Sequence, residues 1–378
     1  MGAFQQMGHD SQNLLRAKGL EGFRGAILSP VNYDEPSIAS LIQQHQAVGF
    51  ELVFDTQIYY PNTDRGSLPG WRYFPSDVDS ADQDSKTWWD GILNPIVQVV
   101  KDLGPSSVCS PVVVPRAFSD DYYALSVEVG DSLKQATASL SIDTYQSVLV
   151  RHDDMAIPGR AEEIASVVSG STCDRVYLVL VSDVEPRREY RDTDSVRGFM
   201  RLISMLERAG IKTLVGYSGS DLILWKAAGA SDCASGKFFN LRRFTPSRFA
   251  PPSEGGGQVP YWFEEGLMAF LRESDLIRVR RAGALSAASN SNPFATEILS
   301  ALDKSPGSAW IALSWRQYLH WFSDFESRMR QDTAIADRVL AGAEETWDSN
   351  KFLMEERAND SGWLRPWRRA IAEFAQGS

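Results

Sequence analysis

The sequence predicts an α/β fold, a (β/α)8 TIM-like barrel followed by a C-terminal helical appendage. Three observations carry this expectation. Short apolar, β-branched runs alternate with helical patterns along most of the chain. The run from Val176 to Val181 (Val-Tyr-Leu-Val-Leu-Val) is apolar without alternation, as in a parallel strand covered on both faces. Beyond about residue 290 the strand runs cease and only helical periodicity remains. Alternating strands and helices imply a parallel sheet, and seven such units favour a closed ring over an open sheet.

Residues 1–20 read as a weakly ordered lead-in, because Gln5-Gln6, His9-Asp10 and Ser11-Gln12-Asn13 are polar. The barrel is assigned to residues 21–285, starting with a buried strand over 25–30. A helix over 36–48 has Ile38, Leu41, Ile42 and His45 at helical spacing, and Pro36 suits a first helical turn. The second strand is 50–58, followed by a polar, aromatic loop over 59–84. A helix over 88–103 holds Pro95, which starts or kinks it. Residues 108–115 form a third strand, 122–140 a helix, and 147–151 a fourth strand ending at His152-Asp153-Asp154. Residues 161–168 are helical and 176–181 the fifth strand. A strongly amphipathic helix over 195–209 is closed by Gly210. Strands six and seven are 212–217 and 231–234, and 275–280 is the candidate eighth. Asp34, Asp121, Asp194 and Asp221 stand where helix caps stand. Residues 286–293 form a linker, and the 290–378 region contains helices over 310–329, 334–343 and 363–374.

The 378 residues are 43% hydrophobic and 23% charged, which suits a soluble globular protein with a large core. A net charge of −11 argues against a surface that grips nucleic acid everywhere, and confines any such contact to a local patch. Cys109, Cys173 and Cys233 lie far apart, so neither a zinc knuckle nor a disulfide framework is expected. No apolar signal stretch opens the chain and no run reaches the ~20 apolar residues of a membrane span, so a cytoplasmic protein is expected.

Barrel enzymes act at the carboxyl ends of their strands. Sampled there, this sequence supplies Asp55, then His152, Asp153 and Asp154, then Asp183 and Glu185, then Ser218, Gly219 and Asp221, then Asp232, Ser235 and Lys237. Carboxylates crowded in one mouth shift each other's pKa values apart, which makes acid/base pairs. Asp and Ser also begin loops and cap helices, so each of Asp55, Asp153, Asp183 and Asp232 has a capping alternative. His152, Asp153, Asp183 and Glu185 are a candidate hard-metal set, but no His-x-His or His-x-x-x-His pair accompanies them. The leading expectation is therefore no metal and no cofactor. Ser235-Gly236-Lys237 with Arg242 and Arg243 could hold a phosphate after a late strand. Lys237, Arg242, Arg243 and Arg248 interleave with Phe238, Phe239, Phe244 and Phe249, a pattern suited to a nucleotide strand. Gly255-Gly256-Gly257 before Tyr261-Trp262-Phe263 reads as a lid or a connector.

The stretch Leu214-Val-Gly-Tyr-Ser-Gly-Ser-Asp-Leu222, with Gly229-Ala-Ser-Asp232-Cys233 after it, resembles a signature of tRNA-guanine transglycosylases and their 7-deazaguanine DNA-modifying relatives. That family is a (β/α)8 barrel that exchanges a base at a glycosidic bond. The resemblance implies Asp232 as nucleophile, and Phe54-Asp55-Thr56-Gln57 loosely echoes the family's second aspartate, implying Asp55 as proton shuttle. Asp153, Asp154, Asp183, Ser218 and Gly219 would bind the substrate, and Ser235, Gly236, Lys237, Arg242 and Arg243 its phosphate. The partner would be tRNA or DNA. Two alternatives differ in class. One is a silent barrel docking a protein partner through Trp310, Trp315, Trp321, Trp363 and Trp367; the other is a metal-dependent hydrolase.

Overall fold

Eight parallel strands close into a ring, each hydrogen-bonded to the next and the last to the first. The structure, a computed structural model, describes residues 2–76, 78–79, 82–250, 258–304, 310–350 and 354–377. In chain order the barrel runs β1 (Ala3–Gln6), β2 (Phe23–Leu28), α1 (Glu35–His45), β3 (Glu51–Phe54), α2 (Lys86–Leu103), β4 (Ser107–Cys109), α3 (Asp120–Thr137) and β5 (Asp143–Arg151). It continues α4 (Arg160–Val168), β6 (Arg175–Val181), α5 (Thr193–Arg208), β7 (Lys212–Val215), α6 (Leu222–Ala227) and β8 (Asp232–Ser235). The expected TIM barrel is present.

The eighth strand is not where the sequence suggested. It is β1, inside the supposed lead-in, and it pairs with β2 on one side and β8 on the other. All four of its residues are buried, Gln5 and Gln6 included. Its buried polar side chains hid it, since a four-residue strand carries too little periodicity to outweigh two glutamines. Residues 275–280 instead lie in a helix, α7 (Glu273–Arg281), which buries Leu276 and Val279 at a three-residue spacing.

Helix ends follow the expected chemistry in part. Asp34 caps α1 by accepting from Ser37 N at 3.0 Å. Ser119 rather than Asp121 caps α3, and Asp192 rather than Asp194 caps α5. Gly104, at φ 65°, closes α2 in the left-handed conformation.

After β8 come a short antiparallel hairpin, β9 (Trp262–Glu264) and β10 (Ala269–Leu271), then α7, α8 (Ala287–Asn290) and α9 (Ala295–Lys304). Three longer helices follow: α10 (Ile311–Gln331), α11 (Ile335–Asn350) and α12 (Leu364–Gln376). These C-terminal helices form the outer layer of the barrel itself. α10 lies over β1 and β8 and against α6, the position of the helix that completes the eighth unit. α12 packs on α5, and α11 on α12. Trp310, Trp321, Trp363 and Trp367 are therefore buried core residues and not free interface anchors; only Trp315 of the five is partly exposed. Residues 255–257, expected as a lid or a connector, lie outside the described residues.

Candidate functional site

The two ends of the barrel have different chemistry. At the amino end, the first residues of several strands build an ionic plug. Glu51 pairs with Arg24 at 3.0 Å and Arg175 at 2.8 Å, and accepts from Tyr145 Oη at 3.1 Å. Asp232, the first residue of β8, accepts from Gly2 N at 2.5 Å and lies 3.7 Å from Arg24. Its carboxyl pKa is raised by burial, against the pull of Arg24. Asp55 follows the last residue of β3 and so lies at the carboxyl end. Parallel strands thus hold the two aspartates at opposite faces. Asp232 cannot act on anything bound beside Asp55, and the two-carboxylate arrangement expected from the sequence is absent.

Asp55 is 2% exposed and accepts from Gln57 N at 3.1 Å and from Tyr59 Oη at 2.8 Å. Burial pushes its pKa up to about 6, opposed by the bonds from Tyr59 and Gln57 and by the Arg248 charge. Around it stand Tyr59, Tyr177, Tyr217 and Cys109, all buried. Tyr177 Oη donates to Gln6 Oε1 at 3.2 Å, across the ring to β1. The Nε2 atom of Gln6 is buried without a hydrogen-bond partner among the described residues, and the Gln57 side chain lies beside Asp55 and Tyr217.

The motif over 214–222 has a local explanation. A Cβ on Gly216 would lie 2.5 Å from Tyr177 Oη, so glycine makes room for that ring. Ser218 Oγ donates to Val215 O at 3.1 Å, and Gly219 N donates to Asp221 Oδ1 at 2.7 Å. Both residues are committed to the turn and covered by the segment that follows β8. Asp153 and Asp183 point to solvent on the outer rim, at 74% and 69% side-chain exposure, where they pair with His152 and Arg151. Asp154, half-buried, lies close enough to Tyr123 of α3 to affect its ionisation. None of the three hydrogen-bonds to Asp55, and among the described residues no three His, Cys, Asp or Glu side chains are grouped to hold a metal. The proposed ligand set of His152, Asp153, Asp183 and Glu185 is therefore not assembled; Glu185 pairs with Arg187 instead.

The five predicted phosphate residues divide. Ser235 Oγ shares a 2.8 Å hydrogen bond with Tyr318 Oη, and Gly236 lies against Leu241 and the Gln6 carbonyl with no room for a Cβ. Lys237 Nζ donates to Asp10 O at 2.9 Å and lies 4.2 Å from the Trp315 ring centre; burial lowers its pKa. Arg242 donates to Gly236 O and Lys237 O, and stacks 3.5 Å from the centre of Tyr318. Burial lowers its pKa to about 10. Arg243 turns the other way. It is buried between Glu189 at 3.3 Å and Asp221 at 3.5 Å, with the Tyr190 ring centre 3.8 Å away.

Two adjoining hollows open on this face. One, of about 380 Å³, is lined by Lys237, Arg242, Tyr261, Phe270, Trp315 and Tyr318 among others. The second, of about 460 Å³, is lined by His9, Asn32, Arg65, Asn240, Leu241 and Arg248. They share Phe238, Phe239 and Gln258, and so form one groove. Arg65, Lys237, Arg242 and Arg248 have no carboxylate within 4.0 Å among the described residues. Arg187 and Arg272, on the same wall, both pair with Glu356, and Arg187 also pairs with Glu185. A larger hollow of about 700 Å³ between α2 and α3 is walled by Trp89, Val112, Val113, Leu125 and Val129, and gathers no comparable charge. Sequence reading missed Arg65, Tyr59 and Tyr318. Only the three-residue spacing of Trp315 and Tyr318 on one helix hinted that they share a face.

No family model matches the chain, and no curated protein matches it. Among solved structures it is similar to an L-ribulose 3-epimerase at 12% identity and a TM-score of 0.39, over 88% of this chain and 97% of that one. It is also similar to D-psicose 3-epimerase from Clostridium cellulolyticum H10, at 12% identity and a TM-score of 0.38, over 62% and 84%. A chitinase from Rhizomucor miehei matches at 13% and 0.34, over 57% and 68%. None of the three is a tRNA-guanine transglycosylase, and at such distances the chemistry has to be argued from this chain's own side chains. Among the described residues no helix is long and apolar enough to cross a membrane.

Proposed function

We propose that this chain is a barrel that grips a single strand of nucleic acid along the basic and aromatic groove and presents one nucleotide to Asp55 in the mouth. The observation that carries this is the set of four cations, Arg65, Lys237, Arg242 and Arg248, without carboxylate partners among the described residues and set among aromatic rings. Single-strand sites combine just these parts: cations along the backbone and rings on which bases stack. In a chain of net charge −11 such a cluster is local, and phosphate is the common anion it fits.

Asp55, hydrogen-bonded to Tyr59 and with a pKa of about 6, suits proton transfer near neutral pH. It is the candidate acid/base for a reaction at the base or its glycosidic bond. Base exchange through a second carboxylate is not carried forward, because Asp232 belongs to the opposite face. A silent, purely binding barrel is the second reading. It is favoured by Phe244 and Phe249, which pack on Tyr59 with ring centres 5.0 and 5.8 Å away and close the mouth.

Fluorescence anisotropy with labelled single-stranded DNA and RNA, across a salt series, tests the groove. Binding that weakens steeply with salt is expected, and no binding at low salt rejects the proposal. Asp55→Asn then separates the two readings: product formation from a bound strand that survives this change removes Asp55 from the chemistry.

A further inference from the structure

The segment 238–250 crosses the mouth as a strap whose middle and far end are held differently. Near its middle, Arg243 is buried between Glu189 and Asp221, and Phe244 O accepts from Ser182 N at 3.1 Å, adding a bridge to Val181 of β6. Among the described residues its far end meets the loop after β3 through the Phe249 ring, 5.8 Å from Tyr59 and 5.0 Å from Tyr60, and through two hydrogen bonds nearer the surface. Thr63 Oγ1 donates to Phe249 O at 3.2 Å, and Arg65 Nη1, partly exposed, donates to Ala250 O at 3.1 Å. Segments with few buried bonds open at lower free energy than those with many.

Arg248 lies on this loosely held end. It is 8% exposed and forms part of the groove floor. Its Nη1 donates to Asn240 O at 3.1 Å, and its Nε has no partner among the described residues. On its inner side it lies 5.4 Å from the Tyr217 ring centre, and its charge reaches Asp55. The next residue, Phe249, covers Tyr59, whose hydroxyl holds Asp55. One side chain thus touches both the groove and the acid that the groove would serve.

We infer that Arg248 is a positioning residue that couples the groove to the mouth. A backbone phosphate bound at Arg248 draws the 246–250 end of the strap off Tyr59, the strap turning about Arg243 and Phe244, and so opens Asp55 to the strand. This deepens the single-strand proposal and rests on it.

Cys109 reports the opening, because it is fully buried at the end of β4, close enough to Asp55 and Tyr59 to interact electrostatically with both. Its alkylation rate is read by peptide mass spectrometry, with the buried Cys173 and Cys233 as controls for global unfolding. The probe is an abasic deoxyribose-phosphate oligomer of roughly eight units, a length typical of single-strand sites, which brings phosphates but no base to block the mouth. The oligomer is expected to raise the Cys109 rate by roughly tenfold or more while the controls stay unchanged. Arg248→Gln is expected to abolish that acceleration and Arg248→Lys to keep it, and Phe249→Ala to raise the rate without any oligomer. Binding of the oligomer with no faster labelling of Cys109, or equal acceleration in Arg248→Gln, overturns this inference alone. Absence of binding by both the abasic and the base-bearing strands removes the groove reading and this inference with it.

Discussion

Asp55 and Asp232 lie at opposite ends of one barrel: Asp55 just after the last residue of β3, Asp232 as the first residue of β8. The relationship separates a chemical role from a structural one. Asp232 accepts from the backbone of Gly2 and faces Arg24, within the plug that ties the start of β1 to β2 and β3.

Asp232→Asn should therefore leave strand binding unchanged and lower stability by about 1–2 kcal/mol, the cost of weakening a buried charged hydrogen bond. Urea unfolding followed by circular dichroism measures this. A loss of binding at unchanged stability would return Asp232 to the functional face.

Asp55 makes a prediction with a definite sign. Its folded pKa is about 6 against an ordinary 3.8, so the folded state holds this proton more tightly than the unfolded chain does. Between about pH 4 and 6 the group therefore makes stability fall as pH rises, by about 3 kcal/mol in all, and the full penalty is present at pH 7. Asp55→Asn removes it. The stability of the variant minus that of the native protein should be flat below pH 4 and climb towards pH 7. Asp221, also raised by burial, to about 7, titrates in both proteins and cancels in the difference. A difference that is flat from pH 4 to 7 would show that Asp55 is not held in a dry mouth.

How far the sequence could be read follows from where polar side chains point. The unbroken run Val176–Val181 announced β6, because a strand buried on both faces needs no polar alternation. β1 escaped, because Gln5 and Gln6 are buried on opposite faces of the strand and look in sequence like a solvated tail. Arg242 and Arg243 are neighbours in sequence and were read as one phosphate clamp. Arg242 ends the short 3-10 turn Phe239–Leu241 and Arg243 leads into the bridge from Phe244 to β6, so one joins the groove and the other a buried ion pair. Asp232 was misplaced by a few residues, since a short strand puts an aspartate at one face or the other depending on which of its ends it occupies. The groove itself joins residues from the loops after β1, β2, β3 and β8 and from α10, and no local pattern links segments so far apart.

The groove can be dissected by the kind of contact each residue would make. Lys237→Gln should weaken binding to all sequences alike and reduce the slope of log affinity against log salt by about one. Trp315→Ala should cost about 1–3 kcal/mol of affinity and leave the slope unchanged, because stacking releases no counterions. Anisotropy titrations at several salt concentrations distinguish the two patterns. If both substitutions changed only the slope, Trp315 would be a packing residue for Lys237 and not a stacking platform.

The C-terminal helices should prove inseparable from the barrel. Lys226 of α6 and Glu326 of α10 form an ion pair at 2.7 Å, with side chains 5% and 2% exposed. The Lys226 ammonium also donates to Ala230 O at 2.8 Å and Ser231 O at 3.0 Å, so one carboxylate and two carbonyls surround the charge. Glu326→Ala leaves that ammonium buried without its counter-charge, which should cost about 3–5 kcal/mol. Replacing both residues by apolar side chains of similar volume should restore much of that loss, since neither charge is then stranded. Deletion of residues 290–378 should go further and prevent folding, because α10 covers β1 and β8, the two strands that close the ring. A truncated chain that kept a cooperative unfolding transition would make those helices a true appendage. A mild effect of Glu326→Ala, with no rescue by the double replacement, would mean that water reaches the pair and that α10 is only loosely docked.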